Sequence, residues 1–131
     1  MTIKSVSLTD TGRQRDHNED FILSNREMNL YLLCDGMGGH LAGEFASKKA
    51  AETINQLMGK NRSIIDKYGR DPTVKNRNKV KTLIEQVASK ASAVVYEEGQ
   101  NNSRRRLPCK SGYSGINSGI DINLGISRNL I

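Results

Sequence analysis

The sequence predicts an α+β fold in which antiparallel strands carry two helices packed on one face. Two short apolar runs, Phe21–Leu23 and Leu30–Cys34, are separated by a polar connection of hairpin length. Two longer segments repeat apolar residues at three- and four-residue spacing, the period of an amphipathic helix. At 131 residues, the chain is one domain at most, or a piece of a larger one.

Each element can be placed along the chain. Residues 2–8 alternate weakly and predict an edge strand before the hairpin. The first helix is expected from Ala42 to Met58, with Gly59 as its stop, and residues 60–75 read as a polar connection. The second helix is the clearest prediction, because one apolar stripe runs over residues 80–95 and Gly99 stands where a C-terminal cap belongs.

The character of the sequence changes after the second helix. Residues 103–131 contain four glycines and five serines without a sustained period, so we expect them to be disordered. The predicted organisation is therefore a structured region over 1–102 and a tail over 103–131.

Charge and cysteine content restrict the classes of function. Residues 103–131 contain five lysines and arginines but only one acidic residue, Asp121. Most of the net charge of +6 is therefore assigned to the tail. The basic run Arg104–Arg106 has no interleaved aromatic residues, and we expect no nucleic-acid partner. No signal peptide or membrane span is visible, and Cys34 and Cys109 lie in unlike contexts, which favours a reducing cytoplasm.

An aspartate stands at each outer end of the predicted hairpin. If Asn25 pairs with Leu30, then Asp20 falls opposite Asp35, with Cβ atoms about 5 Å apart. Like charges at that distance need protonation, a basic partner or a bound cation, and a hard divalent ion is the natural partner for oxygen ligands alone. The alternative is that both aspartates cap turns at strand ends and are exposed.

Neighbouring residues bear on that choice. Glu19 alternates to the opposite strand face, so it should not bind the same ion directly. The glycines of "DGMGG" allow a metal, a water or a phosphate to approach the main chain closely. Arg15 lies on the same approach to the hairpin and could contact a phosphate through both guanidinium nitrogens, whereas Arg13 reads as a surface residue.

Two motifs together resemble a known family. The segments "TDTGRQRDHNEDF" and "LYLLCDGMGGHLAGEFAS" are similar to the start of bacterial PPM-type (type 2C) metal-dependent protein serine/threonine phosphatases. The likeness runs from Ser7 to Ser47 and, more loosely, to Asn101. It implies half of a four-layer fold, a partial sandwich of antiparallel sheets with helices on its outer faces.

The resemblance also implies roles for individual residues. Asp35 corresponds to the aspartate that bridges two Mn²⁺ or Mg²⁺ ions, and Gly36 to the residue whose backbone carbonyl binds one of them. Asp20 and Glu19 correspond to the acidic pair that holds metal-bound waters, and Arg15 to the arginine that binds the substrate phosphate. The family hydrolyses phosphoserine and phosphothreonine proteins by metal-activated water.

Other positions receive no such role. Met37 stands where eukaryotic members often carry a histidine, so no general acid is assigned there. His17 and His40 are interpreted as turn and helix-start residues rather than zinc ligands.

The departure from the family is as informative as the match. The later aspartates of the family's metal site have no counterpart here, and nothing from Ser103 onward resembles the family, which suggests a truncated or frame-disrupted copy. We therefore expect weak metal binding and little turnover. The alternative function is a non-catalytic remnant or a module that binds phosphoproteins or a cognate serine/threonine kinase.

Overall fold

The computed structural model describes residues 4, 6–14, 18–36, 41–105 and 120–126. Its elements are β1 (Asp20–Asn25), β2 (Leu30–Gly36), α1 (Leu41–Lys60), α2 (Arg62–Arg70), α3 (Val74–Arg105) and β3 (Ile120–Ile126). The α+β class is confirmed, with three helices in place of the two expected. None of the helices in the described part of the chain combines the length and apolar character that a membrane span requires.

The sheet is antiparallel and has the strand order β1-β2-β3. The β1–β2 hairpin pairs Asn25 with Leu30, as the sequence predicts, and closes over the turn residues 26–29. Asn29 adopts a left-handed conformation with φ of 50°, which asparagine tolerates better than most residues. The Asn25 side chain accepts a hydrogen bond from the Met28 backbone at 3.3 Å, which further fixes the turn.

The core lies between the sheet, α1 and α3. Strand β2 alternates between buried and more exposed residues, and its buried set faces α1. Helix α1 presents small residues to its neighbours, so the sheet and α3 can both approach it closely. The residues that α1 and α3 contribute to the hydrophobic core cluster are Ala46, Ala50, Ala51, Ile54 and Met58, with Leu83, Val87, Ala91 and Val95.

The helices depart from the sequence expectation in two ways. Residues 62–70 were expected in a connection but form α2, whose Ile65 and Tyr68 are buried because its apolar residues share one face. Both long helices also pass their expected glycine stops, since Gly59 lies inside α1 and Gly99 inside α3. One glycine has only a weak preference against the helix, so it does not by itself end either helix.

The two ends of the chain also differ from expectation. The predicted edge strand over residues 2–8 is absent where the structure describes it, and Val6 and Leu8 are exposed there. Within the expected tail, residues 103–105 end α3 and residues 120–126 form β3, and the expected disorder of the rest of 103–131 stays a prediction. Strand β3 forms because β2 offers a second edge for pairing, and "IDINLGI" alternates in the period of a strand. The boundary at residue 102 stays a prediction.

Candidate metal centre

The β1–β2 register places Asp20 directly opposite Asp35, which confirms the predicted pairing. Both aspartates are exposed, whereas their neighbours Phe21 and Cys34 pack into the core beside α1. Because side chains alternate along a strand, the two aspartates lie on the face of the hairpin opposite α1. The pair is thus exposed to solvent on that face of the hairpin.

A short network of polar side chains fixes the entry to β1. The Asn18 side chain accepts a hydrogen bond from the Asp20 backbone at 3.0 Å. The same side chain donates to the Thr9 hydroxyl at 2.6 Å. These bonds hold the backbone at the start of β1, and with it the position of Asp20.

Glu19 lies on the other face from Asp20, as the alternation predicts. The Gly36 backbone donates a hydrogen bond to the Glu19 carbonyl at 3.2 Å, which extends the hairpin pairing by one residue. The Glu19 carboxylate lies against Gly43 in the first turn of α1. A carboxylate is favoured near the first turn of a helix because that end carries partial positive charge.

Two glycines allow β2 and α1 to meet at this point. A Cβ on Gly36 would collide with the backbone carbonyl of Gly43, and a Cβ on Gly43 would collide with the Glu19 carboxylate. Gly36 is buried, so its backbone has no room to retreat. At Gly36, the group that approaches closely is the Gly43 main chain, whereas approach of a metal, a water or a phosphate to "DGMGG" stays a prediction.

A third aspartate shares this row of the sheet. Asp35 is the register partner of Asp121 in β3 as well as of Asp20 in β1. Sequence reasoning missed this juxtaposition because it assigned Asp121 to a disordered tail. The signal was the strict alternation of "IDINLGI", which places Ile120, Ile122, Leu124 and Ile126 opposite buried residues of β2.

The chemistry of the pair partly fits a divalent cation. Carboxylate oxygens are the ligands that Mg²⁺ and Mn²⁺ prefer. Among the residues that the structure describes, however, no three acidic, histidine or cysteine side chains are grouped so that they could hold a metal. Asp20 and Asp35 therefore fit a hard cation in kind, but the described donors are too few for a complete site.

Several predicted positions cannot be placed. Arg15, His17, Met37 and His40 lie outside the described residues. Cys34, next to Asp35 in sequence, is buried in the core as a free thiol, and burial raises its pKa to about 11. This cysteine belongs to the core. It takes no part in the exposed face of the hairpin that carries Asp20 and Asp35, which we call the carboxylate face.

The amino-terminal part of the chain matches curated bacterial phosphatases. It is 41% identical over 50 residues to the protein phosphatase PhpP of Streptococcus pneumoniae, a match that covers 36% of this chain and 20% of the relative. It is 42% identical over 50 residues to the serine/threonine phosphatase Stp of Listeria innocua, with the same two shares of 36% and 20%.

A third relative names the phosphatase type. A protein of Streptococcus pyogenes serotype M6, named as a 2C-type protein phosphatase, is 49% identical over 51 residues, which are 37% of this chain and 21% of the relative. The matches thus span about a fifth of these relatives' length. No family model matches the chain. Over about 50 residues, the amino-terminal part of this chain is thus similar to bacterial serine/threonine phosphatases, including one named as 2C-type.

Proposed function

We propose that this chain contributes to metal-dependent dephosphorylation of phosphoserine and phosphothreonine proteins. The observation that carries the proposal is the exposed pairing of Asp20 with Asp35 within the segment that matches protein phosphatases. Two carboxylates set opposite each other repel, and a bound cation is one of the arrangements that offset this repulsion. Cation binding would explain why the chain keeps two carboxylates in a position where they repel each other.

The proposed roles follow the resemblance residue by residue. Asp20, Asp35 and the Gly36 carbonyl would hold Mn²⁺ or Mg²⁺, and Arg15 would bind the substrate phosphate. When bound, two such ions lower the pKa of a water and neutralise phosphate charge. Glu19 acts from the other face of the strand, where its carboxylate against Gly43 positions the β2–α1 junction.

The donor count limits what this chain does alone. Asp121 shares the row through its register with Asp35, but the described side chains form no group of three that could hold a metal, which gives a weak cation site. We therefore infer weak metal binding and little hydrolysis by the chain in isolation. A cytoplasmic location belongs to the same proposal, and the free thiol of Cys34 supports it.

The short donor set also favours a second candidate function. A chain that retains the carboxylate face but hydrolyses nothing would act as a binding module for phosphoproteins or for a cognate kinase. Binding of a phosphopeptide without metal-dependent turnover distinguishes this function from the first.

The test is a Mn²⁺ titration of the full chain with two readouts. Calorimetry measures Mn²⁺ binding, and release of p-nitrophenol from p-nitrophenyl phosphate measures hydrolysis. The matched pair is Asp35→Asn in the carboxylate face and Glu85→Gln on the exposed surface of α3. We expect weak Mn²⁺ binding that Asp35→Asn abolishes and Glu85→Gln retains. Equal Mn²⁺ binding by both variants would overturn the metal assignment, and strong turnover would overturn the inference of low activity.

A further inference from the structure

The positive charge of the described helices is concentrated between residues 60 and 81. This stretch has eight lysines and arginines against two aspartates, a net charge of +6 that equals the net charge of the whole chain. Counting residues 1–102 together conceals this local excess, because the remainder of that region is acidic. We call these eight residues the basic corner: Lys60, Arg62, Lys67, Arg70, Lys75, Arg77, Lys79 and Lys81.

Every side chain of the basic corner is exposed. The apolar residues interleaved with them, Ile65, Tyr68 and Val80, are buried and hold α2 and the start of α3 on the core. Arg62 is paired with Asp66 at 3.6 Å across one helical turn. The corner is therefore a solvated surface of like charge carried on ordered helices, which attracts anions and is weakened by salt.

The turn between α2 and α3 fixes the geometry of this surface. The buried Asn76 side chain donates to the Asp71 carbonyl at 2.9 Å and to the Asp71 carboxylate at 3.1 Å. The Thr73 hydroxyl accepts a hydrogen bond from the Asn76 backbone at 3.3 Å and so caps α3. These hydrogen bonds define the turn between α2 and α3, and with it the relative positions of the cationic residues on the two helices.

The basic corner and the carboxylate pair lie at opposite ends of α1. The first turn of α1 contacts Gly36 beside Asp35. At the far end, Arg62 donates to the carbonyl of Glu27 in the hairpin turn at 3.3 Å. Helix α1 rises about 25 Å from Gly43 to Lys60 and so separates the two regions by about that distance.

We propose that the basic corner docks an acidic segment of a protein partner. The proposal rests on the proposed function, because the matched relatives are protein phosphatases and a phosphoprotein is their class of substrate. The corner exposes no aromatic side chain for stacking nucleic-acid bases, and Val74 is its only large exposed apolar residue within the described range 60–81. Single-stranded nucleic acid and membrane insertion are thus less suited to it than a flexible acidic peptide.

The separation of the two regions defines the partner further. An extended chain spans at most about 3.5 Å per residue, so about 25 Å requires roughly seven residues. A substrate that reaches both regions therefore carries its acidic segment at least about seven residues from the phosphorylated residue.

The experiment measures binding of a fluorescein-labelled, unphosphorylated Asp/Glu peptide of ten residues by anisotropy, using the full chain. The matched variants each remove two exposed positive charges: Lys75→Gln with Lys79→Gln in the corner, and Lys48→Gln with Lys90→Gln outside it. We expect the corner variant to bind about tenfold more weakly and the outside variant to change less than about twofold. Raising NaCl from 50 to 200 mM should weaken binding by the wild-type chain.

Three outcomes would overturn the proposal. These are no peptide binding, equal loss in both variants, and tighter binding of a 20-base-pair duplex or of phosphatidylserine vesicles than of the peptide. Peptide binding requires neither metal nor turnover, so failure of the catalytic proposal leaves this readout intact. Conversely, absence of peptide binding by the unmodified chain, with its Mn²⁺ binding retained, would reject the docking surface alone.

Discussion

The backbone of Gly36 lies directly against the backbone of Gly43, where the end of β2 meets the first turn of α1. A Cβ on Gly36 would collide with the Gly43 carbonyl and would also come within 3.0 Å of the Glu19 carbonyl. Both neighbours are backbone atoms in ordered elements, so neither can move aside cheaply. This contact holds the strand that carries Asp35 against the core, and several expectations depend on it.

Gly36→Ala should destabilise the fold by about 1–3 kcal/mol, because the added methyl group overpacks a backbone contact. The control is Gly99→Ala in α3, where a Cβ meets nothing within 4 Å. That substitution should stabilise the chain by up to about 1 kcal/mol through helix propensity. Urea unfolding measures both free energies, and a neutral Gly36→Ala would contradict the close contact.

Asp20→Asn should raise stability slightly in the absence of divalent cations. It removes one of two opposed carboxylates, which is worth about 0.2–1 kcal/mol at low salt. Millimolar Mn²⁺ should then raise the melting temperature of the wild-type chain and leave that of the variant unchanged. An equal Mn²⁺ response in both chains, with Glu85→Gln as the surface control, would mean that the ion binds elsewhere.

Cys34 should make stability fall in alkaline solution. Burial raises the pKa of its thiol from 9.0 to about 11, so the unfolded chain loses its proton at lower pH than the folded chain. The contribution is complete below pH 9 and is lost as pH rises toward 11. Between pH 8 and pH 10, the free energy of unfolding should fall by about 1 kcal/mol more in the wild-type chain than in Cys34→Ala. Parallel pH profiles would contradict burial of the thiol.

Asn76→Ala should destabilise the chain by about 1–3 kcal/mol, because it removes both hydrogen bonds of a buried side chain to Asp71. Asn78→Ala is the matched control, since Asn78 is exposed on the same helix. It should be neutral or slightly stabilising. Thermal unfolding compares the two, and an equal effect would place Asn76 outside the turn that supports the basic corner.

Strand β3 should protect the backbone amides of β2. A chain that ends at residue 119 leaves that edge of β2 unpaired, whereas one that ends at residue 126 retains β3. Hydrogen exchange of the β2 amides should be faster in the shorter chain, since its ladder opens to solvent. Identical exchange in the two chains would show that residues 120–126 do not pair with β2.

Local patterns predicted the elements that carry strong periodicity. The hairpin register followed from the two apolar runs and the length of their connection, and it put Asp20 opposite Asp35. The stripe over residues 80–95 predicted the middle of α3 but not its 32-residue extent. Helix ends depend on which neighbours cover each turn, and a single glycine in the sequence does not determine that.

Residues 60–75 and 120–126 show the limit of reading segments one at a time. The polar character of the first concealed α2, because only Ile65 and Tyr68 need burial to attach so short a helix. The short alternation of the second acquired its meaning from the free edge of β2. The formation of α2 and of β3 therefore depends on contacts with segments that are distant in the chain.

The sequence by itself determined the hairpin, the alternation that separates Glu19 from Asp20, and the likeness to type 2C phosphatases, since each is written within a few neighbouring residues. Only the tertiary structure brought Gly36 against Gly43, set Asp121 in register with Asp35, and placed Arg62 against the hairpin turn at Glu27. The physical reason is that these arrangements arise from packing and strand pairing between distant segments, which form when apolar surface is buried and backbone hydrogen bonds are completed.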